Sequence, residues 1–190
     1  MMSKSPAFLA FAVAVMSSSA LLACAPLAQA LAAPAHKPAP ARKPAPAAPA
    51  GPKEIGKFQD WTAATHEESG QTVCYAFVRA QSSVPTLPKR GPVILTVTER
   101  PSLRDTIAID AGFNYAPNAS VTVQVDQTGL EFYTSGRDAF ARDGKAAVTA
   151  FQKGSRAIAR SPGAKEVTDT FSLQGFSAAY AAIVKACPAK

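Results

Sequence analysis

The segment from residue 167 to residue 187 constrains the fold more than any other part of the chain. Its first half, Val167–Leu173, alternates between larger side chains and Thr or Ser, as in a strand. After Gly175 the larger apolar residues recur at helical spacing on an Ala-rich background, at Phe176, Tyr180, Ile183 and Val184. Pro188 stops this helix just after Cys187. Because so short an amphipathic helix is unstable alone, we predict that its aromatic stripe packs on the body of the domain.

The N-terminus has the pattern of a secretory signal. Lys4 supplies a positive charge, an apolar run follows at residues 8–16, and small residues come next. A retained membrane helix is the alternative, but the apolar run is short and is interrupted by three serines at residues 17–19. We therefore predict export across the inner membrane.

Two processing sites compete within this signal. Ala28-Gln29-Ala30 suits cleavage of a soluble exported protein, which would make residues 1–30 the signal peptide. Leu21-Leu22-Ala23-Cys24 resembles a bacterial lipobox, in which case residues 1–23 are removed and Cys24 is lipidated. The second alternative would tether the protein to the outer membrane through lipid. Both alternatives stay open.

The chain divides into a linker and a domain. Residues 31–53 are rich in Pro, Ala and Lys and have almost no large apolar side chain to bury, so we predict a disordered linker there and a folded domain at 54–190. The first 53 residues hold five Lys/Arg and no acid, whereas the remainder holds fifteen Lys/Arg and thirteen Asp/Glu. The near-neutral domain does not favour nucleic-acid binding.

The number of cysteines indicates a disulfide bond within the domain. Cys24 is removed or acylated, which leaves Cys74 and Cys187 as a pair in an oxidising compartment. We predict a disulfide between them; two free buried thiols are the alternative. The bond would fasten the C-terminal helix to a strand more than one hundred residues earlier.

The rest of the domain predicts a mainly β fold. Seven or eight short apolar runs between turn residues read as strands, with the clearest alternation at Ser120–Asp126. One further helix is expected at 143–154, with Asp143 as its N-cap and Gly154 as its stop. We predict an antiparallel β-sandwich with two short helices, one central and one C-terminal.

Several residues are candidates for a site, and each has a plainer interpretation. Trp61 is assigned to the core close to the disulfide. His66-Glu67-Glu68 has metal-ligand atoms but reads as a solvated hairpin tip. Asp138 and Asp143 could act as paired carboxylates, although capping and surface pairing explain them. We predict no catalytic residue, no cofactor and no metal site.

Four basic residues are the candidate binding edge: Lys89, Arg90, Arg100 and Arg104. If their loops meet, they would suit an anionic glycan, a lipid or the carboxylates of peptidoglycan. A solvated rim with no ligand is the alternative.

Short motifs in a fixed order run through residues 56–188. They are Phe58-x-x-Trp61, Gln71-Thr-Val-Cys-Tyr75, Thr98-Glu-Arg-Pro101, Glu131-Phe-Tyr-Thr134, Ala139-Phe-Ala-Arg-Asp143, Phe151-Gln-Lys-Gly154, Asp169-Thr-Phe-Ser-Leu-Gln-Gly-Phe-Ser-Ala-Ala-Tyr180 and Ala186-Cys-Pro188. With them the chain resembles the invasion-associated locus B family of exported bacterial proteins. Many family members have Trp where Phe140 stands here. The resemblance implies an immunoglobulin-like β-sandwich, export to the envelope and a family name drawn from a role in host-cell invasion, and it implies no catalytic residues.

These observations lead to one functional hypothesis and one alternative. We expect an exported, non-enzymatic envelope protein of this type that acts by surface interaction, including host-cell association. The alternative is a periplasmic or outer-membrane-tethered structural component that binds cell wall. In either case the partner is an envelope or host surface, and the membrane is reached only through a lipid on Cys24.

Overall fold

The computed structural model of the chain describes residues 51–162 and 166–189. Both processing sites, Cys24 and the linker up to residue 50 lie outside the described residues, as does Gly163 of the predicted turn. The described chain contains eleven strands and two helices. The strands are β1 Lys53–Phe58, β2 Trp61–Glu68, β3 Gln71–Arg79, β4 Ser82–Val84, β5 Ile94–Glu99, β6 Thr106–Asp110, β7 Ser120–Val125, β8 Thr128–Ser135, β9 Asp138–Ala141, β10 Arg156–Ser161 and β11 Val167–Ser172. The helices are α1 Gly144–Lys153 and α2 Phe176–Ala186.

All neighbouring strands are antiparallel and follow the order β1-β2-β3-β5-β6-β9-β8-β7-β10-β11-β4. β4 follows β3 after two residues and pairs with β11. The short connection from β3 to β4 therefore links the β3 region of the sheet to the strand at its far edge. The predicted mainly β, antiparallel fold with a central and a C-terminal helix is confirmed. The strands form one hydrogen-bonded sheet, which fits a sandwich whose layers are joined at their edges.

The sheet has more strands than the seven or eight predicted. β1 begins at Lys53, inside the predicted linker, and β4 lies in a proline-rich stretch that the sequence marks as loop. β9 is only four residues long and lies among charged residues around Asp138, so the sequence did not predict it as a strand. These strands are too short or too polar to show an alternating pattern, so neighbouring strands determine them.

α1 begins and ends where its capping residues predict. The side chain of Asp143 accepts a hydrogen bond from the Ala146 backbone N–H at 2.9 Å, and Gly154 closes the last turn on Ala150. Its first residue, Gly144, lies so close to β6 that an added Cβ would sit 1.9 Å from the Asp105 carbonyl oxygen. A side chain at this position would push the helix away from the sheet.

The core is one cluster of buried side chains from the strands and from both helices. Its largest fully buried side chains are aromatic and come from strands and helices alike: Trp61, Phe132, Phe151, Phe171 and Phe176. Burial of each such side chain contributes roughly 1.5–3 kcal/mol. α2 contacts β1, β2, β3 and β5, so it covers one face of these strands.

Candidate functional site

The N-terminal end of α2, which we call its first end, is held in place by aromatic packing. Gly175 adopts a left-handed conformation, with φ of 89°, and a Cβ there would lie 1.9 Å from the Phe58 carbonyl oxygen. This close approach places Phe176 against Trp61, with ring centroids 4.9 Å apart and an edge-on geometry. The Phe151 ring of α1 also packs edge-on against the Phe176 ring, with centroids 5.4 Å apart. The glycine is therefore required both by its backbone angle and by the space available.

The C-terminal end of α2, which we call its second end, is held by a covalent bond. Cys74 of β3 and Cys187 form a disulfide that joins residues 113 apart in sequence, with their Cα atoms separated by 5.9 Å. The Arg104 guanidinium donates to the Cys187 carbonyl oxygen at 2.6 Å, which satisfies an acceptor left free at the helix end. The predicted disulfide is thus present, and the predicted packing of the helix on the domain is confirmed.

A buried carboxylate lies beside the disulfide. Glu99 is opposite Cys74 in the β3–β5 ladder and is fully buried. Burial raises the pKa of Glu99 to about 7, while the nearby Arg104 charge and the hydrogen bond from the Asp105 backbone N–H oppose the increase. Arg104 Nε lies 2.6 Å from Oε2, and the N–H of Asp105 donates to Oε1 at 3.2 Å. Tyr180 of α2 completes the group by donating to Asp105 at 2.5 Å.

This group of polar residues connects β5, β6 and α2 around the disulfide. Burial and the hydrogen bond to Asp105 raise the pKa of Tyr180, so its hydroxyl stays protonated and keeps donating. Each side chain in the group contacts another part of the fold. We therefore interpret the group as part of the attachment of α2.

The structure corrects the predicted position of Trp61. The side chain is fully buried, as predicted, and its Nε1 donates to the Ser172 carbonyl oxygen at 3.0 Å. However, Thr65 is the β2 residue opposite Cys74, and four residues of strand, about 13 Å, separate it from Trp61. Trp61 consequently packs at the first end of α2, whereas the disulfide lies at the second.

The four basic residues of the predicted edge do not form one edge. Lys89 and Arg90 precede β5, while Arg100 and Arg104 follow its end, so the six-residue strand, about 17 Å long, separates the two pairs. Arg100 forms an exposed ion pair with Glu68 at 2.9 Å. Arg104 faces Glu99, as described above. The length of β5 sets this separation, and binding through any of the four stays a prediction.

Arg90 belongs to a buried ion pair at the opposite end of β5. Its guanidinium makes two hydrogen bonds of 2.8 Å to Asp169 of β11, and both side chains are almost completely buried. Ser83 also donates to Asp169, at 2.6 Å, and the guanidinium lies 5.0 Å from the centre of the Phe113 ring. Such a pair fixes the geometry of the surrounding loops, because removing either partner leaves an uncompensated buried charge.

An apolar pocket of about 710 Å³ has the Phe113 ring in its lining, and we call it the loop pocket. Its lining is Pro85, Thr86, Leu87, Pro88, Phe113, Asn114, Tyr115, Ala116, Pro162 and Val167. The Tyr115 hydroxyl is hydrogen-bonded to Ser161 at 3.2 Å, and burial raises the pKa of Tyr115. The loop pocket has the size of a ligand site, but its described lining contains no charged side chain.

A second concave surface lies on the sheet, on the side opposite α2, and we call it the open face. It is a shallow depression of about 500 Å³, lined by His66, Tyr75, Phe77, Arg79, Ile94, Thr96, Thr98 and Arg100. The Tyr75 and Phe77 rings are 6.1 Å apart and nearly parallel, and the His66 ring meets Tyr75 edge-on at 5.4 Å. The sequence analysis did not predict this surface. The alternation of buried and partly buried residues along β3 was the available signal, because it places Tyr75 and Phe77 on the face opposite Cys74.

The remaining acidic candidates have structural partners. Glu67 accepts from Thr72 at 2.8 Å, and Asp143 caps α1. Asp138 lies opposite Asp110 in the sheet, and burial followed by the nearby Asp110 charge raises the pKa of Asp138 against the influence of Arg137. Among the described residues, no group of three or more His, Cys, Asp or Glu side chains could hold a metal ion. Within the same residues, neither helix is long and apolar enough to cross a membrane.

Fold and site together define a mainly β protein whose C-terminal helix is bonded across one face of strands β2, β3 and β5, while no element among the described residues covers the open face. The chain belongs to the invasion associated locus B family, whose family model matches residues 61–184. This is not a known enzyme family. The chain is similar in fold to the crystal structure of invasion associated protein b from Bartonella henselae, at 16% identity and a TM-score of 0.52. That match covers 69% of this chain and 95% of the Bartonella chain. No curated protein matches the chain.

Proposed function

We propose that the chain is an exported envelope protein that acts by non-catalytic surface interaction, including association with a host cell. The observation that carries the proposal is the disulfide that joins β3 to the end of α2. Bonds of this kind persist outside the reducing cytoplasm. The signal-like N-terminus supports the same location, which is the periplasm, or the outer membrane if Cys24 is lipidated.

The non-catalytic part of the proposal rests on how the titratable side chains are used. Glu99, Asp105 and Asp169 all bind to neighbouring elements inside the fold. A catalytic acid or base needs hydrogen-bond reach to a substrate, and these carboxylates are committed elsewhere. The host-cell part rests on family membership and on the similar fold of the Bartonella protein, which is named an invasion associated protein.

A cell-wall-binding component of the envelope is the second candidate. The open face favours it, because its described lining combines aromatic rings with two arginines and no acid. Such a surface suits an anionic polymer.

Cell fractionation tests the proposal. We expect the processed chain in the periplasmic or outer-membrane fraction, and we expect labelled protein to be retained on host cells or on purified cell wall without releasing fragments from either. A cytoplasmic chain that keeps residues 1–23 would contradict export. Release of glycan or peptide fragments that increases with protein concentration would contradict a non-catalytic mode.

A further inference from the structure

We infer that the open face binds a carboxylate-bearing glycan and that its source is the peptidoglycan of the cell wall. The inference rests on the proposed surface interaction and gives it a location and a ligand class. It replaces the four-residue basic edge with a different set of residues, centred on Tyr75 and Phe77 of β3.

Strand register places rings and hydroxyls side by side on this face. Tyr75 lies opposite Thr98 and Phe77 lies opposite Thr96, so two aromatic rings on β3 run beside two hydroxyls on β5. The His66 ring extends the aromatic row onto β2. All five side chains are half-buried. Sugar rings present apolar C–H groups together with hydroxyls, so they can pack on the rings while hydrogen-bonding to the threonines.

Positive charge lies at two sides of this row. Arg79 ends β3 and Arg100 follows β5, and both line the depression. Within the described residues no acid is within ion-pair distance of Arg79. Arg100 holds Glu68 in an exposed pair, which contributes little to stability, so its guanidinium can turn to a ligand at small cost. Guanidinium groups bind carboxylates with two parallel hydrogen bonds, and this favours an acidic over a neutral glycan.

The shape of the face favours a polymer over a small molecule. The depression is shallow and lies on the surface of the sheet, so a chain can cross it without being enclosed. A second copy of the protein is a poor occupant, because a two-fold interface would bring the arginines of one face against those of the other. The predicted export places the domain next to peptidoglycan, whose peptide stems carry carboxylates.

The test is co-sedimentation of the full mature chain with purified peptidoglycan sacculi. We expect Phe77→Ala to weaken binding about tenfold, because a ring that packs on sugar is lost. Arg79→Gln should weaken binding about fivefold and reduce its dependence on salt. Sacculi whose carboxyl groups have been amidated should bind wild-type protein at least as weakly as intact sacculi bind Arg79→Gln, because Arg100 also loses its carboxylate partner.

The chain offers a matched control on the same side of the sheet. Tyr133 and Phe140 form another nearly parallel ring pair, with centroids 5.5 Å apart, and the Arg142 guanidinium lies 5.8 Å from the centre of the Tyr133 ring. Tyr133 is 44% exposed. Tyr133→Ala should bind sacculi within about twofold of wild type. Circular dichroism and thiol titration verify that every variant is folded and keeps its disulfide.

Four outcomes would overturn the inference. The first is that the protein does not sediment with sacculi, and the second is that Phe77→Ala and Tyr133→Ala lose binding equally. The third is that Phe77→Ala still binds sacculi while deletion of residues 31–50 abolishes binding. The fourth is that the protein self-associates and Phe77→Ala abolishes this self-association. The third result would assign binding to the basic linker, and the fourth would make the face a contact between copies. If Phe77→Ala instead loses binding to host cells or to a host glycosaminoglycan while sacculi never bind, the glycan source is wrong and the proposed surface interaction stands.

Discussion

The two faces of β2, β3 and β5 differ in what covers them, although the same strands supply both. On the covered face Cys74, Ala76 and Val78 of β3 lie under α2 or in the core behind it and are at most 4% exposed. On the open face Tyr75 and Phe77 remain half-buried with no element above them in the described chain. The position of α2, which is held by aromatic packing at one end and by the disulfide at the other, thus determines which face of these strands is buried and which is accessible to a ligand.

The largest expected effect is on the covered face. Replacing both cysteines, Cys74→Ser with Cys187→Ser, removes a crosslink between residues 113 apart, so we expect the free energy of unfolding to fall by about 4 kcal/mol. Urea unfolding at neutral pH measures the change. Reduction of wild-type protein should produce the same loss. If stability fell by less than about 1 kcal/mol, aromatic packing alone would hold α2.

A pair of phenylalanine substitutions compares the faces directly. Phe176→Ala removes a fully buried ring between Trp61 and Phe151 and should destabilise the domain by about 3–4 kcal/mol. Phe77→Ala removes a half-buried ring from the open face and should cost about 1 kcal/mol or less. Thermal and urea unfolding of both variants provide the values. Equal losses would show that the open face is also part of the stabilising core.

A smaller effect depends on pH and on Glu99. Its pKa is about 7 in the folded protein and about 4.5 in the unfolded chain, so the folded state binds the additional proton between these values. Stability from this group is therefore present below pH 4.5 and is lost as pH increases through 7. Relative to Glu99→Gln, wild type should lose about 1–3 kcal/mol between pH 4.5 and pH 8.

Urea unfolding of wild type and Glu99→Gln at several pH values measures this difference, and Glu67→Gln, an exposed residue of β2, is the control. A constant difference between wild type and Glu99→Gln across the range would mean that folding does not change the pKa of Glu99, and this would contradict the raised value.

Local sequence patterns were sufficient for the covered side of the domain. The change of period at Gly175, the cap at Asp143 and the cysteine count predicted both helices and the bond at the end of α2. Each of these signals acts within a few residues or follows from the compartment. They did not depend on which strands become neighbours.

Strand register decided what the sequence could not predict. Arg90 and Arg104 were grouped by charge, but β5 separates them, and each faces a buried carboxylate. The partner of Arg90, Asp169, comes from β11, whose pairing with β4 no local pattern reveals. Glu99 is close to Arg104 in sequence, but its burial depends on the pairing of β5 with β3. The open face was missed for the same reason, because its rings and hydroxyls meet only when β3 pairs with β5.

The proposed function and the covered face both depend on an exported domain whose terminal helix is held across the sheet by a disulfide. The intact mass of the chain purified from cell-envelope fractions tests export and the bond together. We expect a chain shortened at residue 30, or at residue 23 with lipid on Cys24, whose mass is two hydrogen atoms below that of its reduced form. A full-length chain with both thiols free would contradict the bond and the export inferred from it.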